Sequence, residues 1–156
     1  MPDMSGKPKA LSLFSGAGGM DIGIIQAGFE VVSCIEIDPY ACETLEFNIK
    51  RENQNTKVIK SDIRLVSPEQ LLLELGLRSG ELDLLFGGPP CQTFSQIGKR
   101  NSLNDERGLL IFEMIRFAKH FRPRVILIEQ VEGLLKARDE LGRPGEVFKR
   151  LVKNLQ

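Results

Sequence analysis

Five apolar runs of strand length punctuate the chain: ALSLF (10–14), VVSCIEI (31–37), KVI (57–59), LDLLF (82–86) and RVILIE (124–129). Between them the apolar positions recur every three or four residues, the spacing that puts them on one face of a helix. This pattern predicts helices over Met20 to Ala27, Pro39 to Lys50, Pro68 to Leu75, Gly108 to Phe121 and Gly145 to Leu155. Pro39 and Pro68 suit a first helical turn, and Gly28 and Gly76 a C-terminal stop. Strands alternating with helices, and strands that are apolar almost throughout, predict a mostly parallel sheet flanked by helices and buried on both faces. The last pattern, FKRLVKNLQ (148–156), still reads as helix without a glycine or proline to stop it, so the fold is expected to be incomplete at the C-terminus.

Ligands of such sheets bind outside the carboxyl ends of the strands, which directs attention to the residues after each run. After the first comes FSGAGGMD, Phe14 to Asp21, where Gly16, Gly18 and Gly19 let backbone N–H groups and a helix N-terminus approach a ligand. It is not a strict GxGxxG, since Asp21 stands at the third glycine's place, and it has no Walker lysine. After the second comes Glu36, twenty positions beyond Gly16, where nucleoside-binding folds put a carboxylate on ribose hydroxyls. After the third, Asp62 can accept from an adenine amino group while Ile63 packs on the ring. Each feature alone also reads as an ordinary tight turn or hydrated strand end; in succession they point to an adenosine-containing cofactor.

The fourth place is GGPPCQTFSQIGKR (87–100). Pro89 and Pro90 fix the backbone φ on the approach to Cys91, so the chain leaves the strand in a stiff direction. A thiol is a nucleophile as thiolate, and a helix N-terminus nearby would raise that fraction. The bland alternative is a small buried hydrophobe. The fifth place is Glu129, a carboxylate on the same rim.

Composition narrows the remaining choices. Acidic and basic residues balance at 21 each across 156 residues, so no basic excess suggests nucleic acid. Three cysteines without a CxxC pair and one histidine leave little for a metal site, so none is expected, and they suit a reducing cytosol. No apolar run reaches membrane-span length, nor does the N-terminus carry a signal-peptide core.

FSGAGG, EID, GGPPCQTFS, DERGLL and the Glu129 segment, in this order, resemble the cytosine-5 DNA methyltransferase family from Leu11 onward. The resemblance implies a Rossmann-like, S-adenosylmethionine-dependent methyltransferase fold, with residues 1–9 an N-terminal extension and 10–156 a partial catalytic domain. It places Phe14, Gly16, Gly18 and Gly19 at the cofactor turn, Glu36 on the ribose, and Ile37, Asp62, Ile63, Pro90 and Leu110 around the adenine. It makes Cys91 the nucleophile at carbon 6 of a flipped cytosine and Glu129 the partner of ring nitrogen 3. Gln92, Ser95, Lys99 and Arg100 would face double-stranded DNA.

Two departures are local: Gln130 follows the glutamate where the family usually has asparagine, and Ser61 precedes Asp62 where glycine is common. A larger one is the missing Gln-x-Arg-x-Arg motif, target-recognition region and late cofactor-site helix. The expected protein is therefore a fragment or one subunit of a split enzyme, complemented by a C-terminal subunit, in a restriction-modification setting in the bacterial cytosol or nucleoid. Rival readings are a tRNA cytosine-5 methyltransferase and a non-catalytic S-adenosylmethionine-binding module; a nicotinamide-dependent enzyme fits least.

Overall fold

The computed structural model describes residues 6–52, 55–90, 110–137 and 143–155. Its strands are β1 (Lys9–Leu13), β2 (Glu30–Glu36), β3 (Lys57–Lys60), β4 (Leu84–Gly87) and β5 (Val125–Ile128). Its helices are α1 (Gly19–Gln26), α2 (Pro39–Arg51), α3 (Pro68–Glu74), α4 (Ile111–Phe121) and α5 (Glu146–Leu155), with 3-10 turns at Ile63–Leu65 and Glu132–Lys136. Each strand and helix lies within a few residues of its predicted place. The offset at β1 has a visible cause: Phe14 adopts φ +56°, which ends the strand, while Lys9 pairs with Glu30 and begins it.

All strand pairings are parallel, in the order β3-β2-β1-β4-β5. From β1 the chain winds outward through β2 to β3, then crosses back to place β4 on the other side of β1. That reversal opens a crevice outside the carboxyl ends of β1 and β4.

The inner strands serve two cores, one on each face of the sheet. Leu11, Leu13, Ile35 and Leu85 pack with Met114, Phe117 and Phe121 of α4 and with α3. Ala10, Val31, Cys34, Leu84 and Phe86 pack beneath α1 and α2, with Leu45 closing that side. A third cluster joins α4 to α5 through Ile111, Ile115, Leu134, Val147 and Leu151. The helix starts follow local chemistry. Asp38 and Ser67 cap α2 and α3 by accepting from the N–H groups of Ala41 and Gln70, and Pro39 and Pro68 occupy the first turns.

One expectation is corrected. The strands are not all buried on both faces: in β5, Ile126 and Ile128 pack against the core, but Val125 is 58% and Leu127 44% exposed. Along α5, Phe148, Val152 and Leu155 form a second apolar stripe that is more than a third exposed. At the opposite edge, β3 carries lysines at both ends, Lys57 paired with Glu74 and Lys60 with Glu46. Among the described residues no helix is long and apolar enough to cross a membrane.

Candidate active site

The register aligns the strand ends. Leu13 pairs with both Ile35 and Gly87, and Gly87 with Ile128. The next residue of each strand therefore falls in one row along the carboxyl rim: Glu36, Phe14, Gly88 and Glu129, with Lys60 beside Glu36. At about 4.8 Å per strand, Glu36 and Glu129 stand roughly 14 Å apart, on opposite sides of the crevice.

The first side is organised by Glu36. Its Oε2 accepts from the Gly16 N–H at 2.7 Å, and its Oε1 accepts from the N–H groups of Ile37 and Asp38, both at 2.9 Å. One carboxylate thus ties the glycine turn after β1 to the turn after β2. The glycine turn needs unusual backbone: Phe14, Gly16 and Gly18 have φ of +56°, +55° and +88°. At Gly18 a Cβ would also come within 2.7 Å of Leu45 Cδ2, so a side chain there would have to push that leucine aside. At Gly16 and Gly19 a Cβ would meet nothing within 4 Å. The space beside them is open, as a ligand lying over the N-terminus of α1 would require.

The remaining residues of this side are unequal. Ile37 is 65% exposed and offers an apolar surface at the rim, whereas Ile63 is 4% exposed and belongs to the core. Asp62 spends both carboxylate oxygens on Arg64, accepting from its N–H at 2.9 Å and from its guanidinium at 2.6 Å. Arg64 accordingly holds the Asp62 carboxyl below the usual carboxylate range.

The second side rests on β4 and β5. Gly87 lies so close to β1 that a Cβ would sit 2.1 Å from the Leu13 carbonyl oxygen. At Gly88 a Cβ would come 3.1 Å from Glu129 Oε2, so the missing side chain leaves room for that carboxylate. The Glu129 N–H donates to the Gly87 carbonyl at 3.0 Å, completing the alignment. Gln130 then reaches back: its Nε2 donates to the Pro89 carbonyl at 3.0 Å while its Oε1 accepts from the Val131 N–H at 2.9 Å. The amide side chain, one methylene longer than asparagine, thus reaches this turn. Pro90 is partly buried, and Leu110, partly buried against the core, caps α4. Cys91, Gln92, Ser95, Lys99 and Arg100 lie outside the described residues.

Two contributors escaped the sequence reading. Arg116 of α4 donates to the carbonyls of Ile63 at 2.7 Å and Val66 at 2.9 Å, fixing the turn after β3; only its i,i+3 relation to Glu113 hinted at a role. Gly87 has no role in the sequence reading, although the GG before PP is where β4 meets β1 closely.

A model of the C-5 cytosine-specific DNA methylase family matches residues 9–156. The chain is 42% identical over 127 residues to the Type II methyltransferase M.AquIA of Picosynechococcus, covering 81% of this chain and 50% of the relative. It is 39% identical over 148 residues to M.FnuDI of Fusobacterium nucleatum, covering 95% and 38%. The fold matches a prophage-encoded protein of Escherichia coli, described as a DNA modification methyltransferase, with a TM-score of 0.74 at 27% identity, over 95% of this chain and 37% of that one. The chain thus spans half or less of the length of these relatives. On the match along nearly its whole length, the chain belongs to the C-5 cytosine-specific DNA methylase family.

Proposed function

We propose that this chain is the cofactor-binding and nucleophile-bearing portion of a DNA cytosine-5 methyltransferase. The observation that carries this reading is the rim row, which sets Glu36 and the open glycine turn on one side of the crevice and Glu129 on the other. The residues suit S-adenosylmethionine. Gly16 and Gly19 leave the turn clear, Glu36 keeps one free lone pair, on Oε2, for a ribose hydroxyl, and Ile37 presents an apolar surface for the adenine. Asp62 contributes an amino-group contact by sharing an oxygen with Arg64. Pro90 and Leu110 close the pocket.

When bound, this cofactor supplies an electrophilic methyl group. The chain's own residues make the cytosine ready for it. Cys91, as thiolate, adds to carbon 6, and Glu129 donates a proton to ring nitrogen 3 as negative charge develops there, leaving carbon 5 nucleophilic. After methylation a base takes the carbon-5 proton, the Cys91 sulfur departs with its bonding electrons, and ring nitrogen 3 returns its proton to Glu129. Gly88 keeps Glu129 close to the turn leading to Cys91, and Gln130 braces that turn at Pro89. A duplex hides the base, so the cytosine is flipped outward, with Gln92, Ser95, Lys99 and Arg100 meeting the DNA.

DNA recognition needs more surface than this portion offers, and we assign it to a complementary C-terminal segment or subunit. Among the described residues β5 pairs only with β4, and the exposed Val125 and Leu127 together with the second stripe of α5 support that assignment as apolar surface for a partner to cover.

The test is transfer of labelled methyl from S-adenosylmethionine to mixed-sequence duplex DNA and, in parallel, to tRNA, with digestion to locate 5-methylcytosine and with Cys91→Ser as control. Methylated DNA that depends on Cys91 supports the reading. Methylated tRNA with untouched DNA changes the substrate, and failure to bind the cofactor sinks the assignment.

A further inference from the structure

Arg116 reaches from α4 to the turn that follows β3, and each of its guanidinium nitrogens is engaged. Nη2 donates to the Ile63 carbonyl at 2.7 Å and Nη1 to the Val66 carbonyl at 2.9 Å. Nε donates to Glu113 Oε2 at 2.6 Å, one turn earlier on the same helix, which fixes the plane of the fork. The two carbonyls bracket the 3-10 turn Ile63–Leu65, and Asp62 caps the start of that turn by accepting from the Arg64 N–H at 2.9 Å. One side chain of a helix distant in sequence thus grips both ends of the turn that carries Asp62.

Two other contacts hold this turn without directing it. Arg64 binds the Asp62 carboxylate, but it belongs to the same turn and moves with it. The Ile63 side chain seats the turn against the core through apolar packing, an attraction without directional preference. Directed bonds come from either side: upstream the Ser61 N–H donates to the Glu36 carbonyl at 2.9 Å, and downstream Arg116 binds the turn to α4. Asp62 stands between these two anchors.

We infer that Arg116 is a positioning residue for recognition of the cofactor's base: by fixing the turn from α4 it aims the Asp62 carboxylate at an exocyclic amino group, so that a purine with an oxo group there is rejected. The inference rests on the proposed role of Asp62 as the adenine contact. A carboxylate accepts and cannot donate, so it meets an amino group as a partner and an oxo group as a second acceptor. Rejection requires the acceptor to be held in place, because a carboxylate free to swing aside no longer excludes the wrong base. Lysine at this position keeps the charge and loses the fork, since an ammonium is a point donor that cannot serve two carbonyls and Glu113 in one plane.

The experiment measures, by calorimetry, the affinities of S-adenosyl-L-homocysteine and S-inosyl-L-homocysteine, which differ in carrying an amino or an oxo group on the purine. The parent chain is compared with Arg116→Lys and with Arg116→Gln, and urea midpoints are measured alongside, so that a folding defect in one variant leaves the other to decide. The parent is expected to prefer the adenosyl ligand at least about tenfold. In the variants that ratio should fall at least about threefold, through weaker binding of the adenosyl ligand while the inosyl ligand holds or improves. Equal weakening of both ligands would mark a merely structural role and overturn the inference, as would an unchanged ratio in a cooperatively folded variant. A parent that binds the two ligands equally would also overturn it and leave the cofactor assignment standing. A parent that binds neither sinks the cofactor assignment itself and the inference with it.

Discussion

Replacing Glu36 with glutamine isolates one contact in the proposed cofactor side. The carboxylate serves three backbone donors, Gly16 on Oε2 and both Ile37 and Asp38 on Oε1. Glutamine keeps the shape but has one acceptor oxygen and one NH₂. Turned to serve Ile37 and Asp38, it sets its NH₂ against the Gly16 N–H, donor facing donor; turned the other way, it loses two bonds. The variant therefore surrenders at least the Gly16 bond. Hydrogen bonds to charged groups contribute about 1.5–3 kcal/mol, and Gly16 is only half-buried, so the lower figure applies. Loss of about 1.5 kcal/mol is close to a tenfold change in an equilibrium constant. Urea unfolding should show that loss, and calorimetry should show S-adenosylmethionine binding weakened roughly tenfold, because the turn is no longer tied to β2. An unchanged midpoint together with a dissociation constant within twofold would refute the reasoning. A lowered midpoint with unchanged affinity would keep the contact but move the cofactor elsewhere.

Gly87→Ala places a methyl 2.1 Å from the Leu13 carbonyl and should destabilise the fold by about 1–3 kcal/mol, the cost of overpacking. Gly19→Ala, in a helix with open space around it, should be neutral or stabilising by up to about 1 kcal/mol; equal urea midpoints for the two variants would contradict the packing. Gln130→Asn withdraws the amide from the Pro89 carbonyl and should cost about 1 kcal/mol in the same measurement, with no loss if the contact is idle. Asp21→Asn tests burial through pH. Burial raises the Asp21 carboxyl, so the folded chain holds that proton more tightly than the unfolded one. The resulting penalty is absent below the ordinary carboxylate pKa of about 4 and grows as pH rises toward the folded value. The asparagine variant should therefore gain stability relative to the parent between pH 4 and 7, and a pH-independent difference would count against a strained carboxylate.

Much of the fold was legible because its signals are local. VVSCIEI and RVILIE announce strands by composition, and Asp38-Pro39 and Ser67-Pro68 announce helix starts that formed as read. The rim row was legible too, since candidate residues after successive parallel strands must share an edge. What stayed hidden depends on contacts between distant segments. Nothing near Ile63 tells that its side chain enters the core while Ile37 remains outside, and nothing near Asp62 tells that Arg64 takes up its oxygens. Asp21 looked like a failed third glycine; its inward turn toward Cys34 follows from the packing of α1 on β2. The exposure of Val125 and Leu127 was invisible for the same reason, because an apolar run reports what a strand prefers and not what covers it.

The contact between Gly87 and Leu13 also bears on how the rim finds its alignment during folding. Sliding β4 by one residue along β1 would exchange the two faces of the strand and, in one direction, carry a side chain to the position where only hydrogen fits. Sliding it toward its carboxyl end would bring Phe86 there, the largest residue of the strand, whereas the opposite slip brings Gly88. The tight spot thus acts as a one-sided gauge: it admits the pairing in which Glu36, Phe14, Gly88 and Glu129 stand level and rejects the slip that would put Phe86 against Leu13. A packing constraint one residue below the rim in this way checks the geometry on which the two halves of the crevice depend.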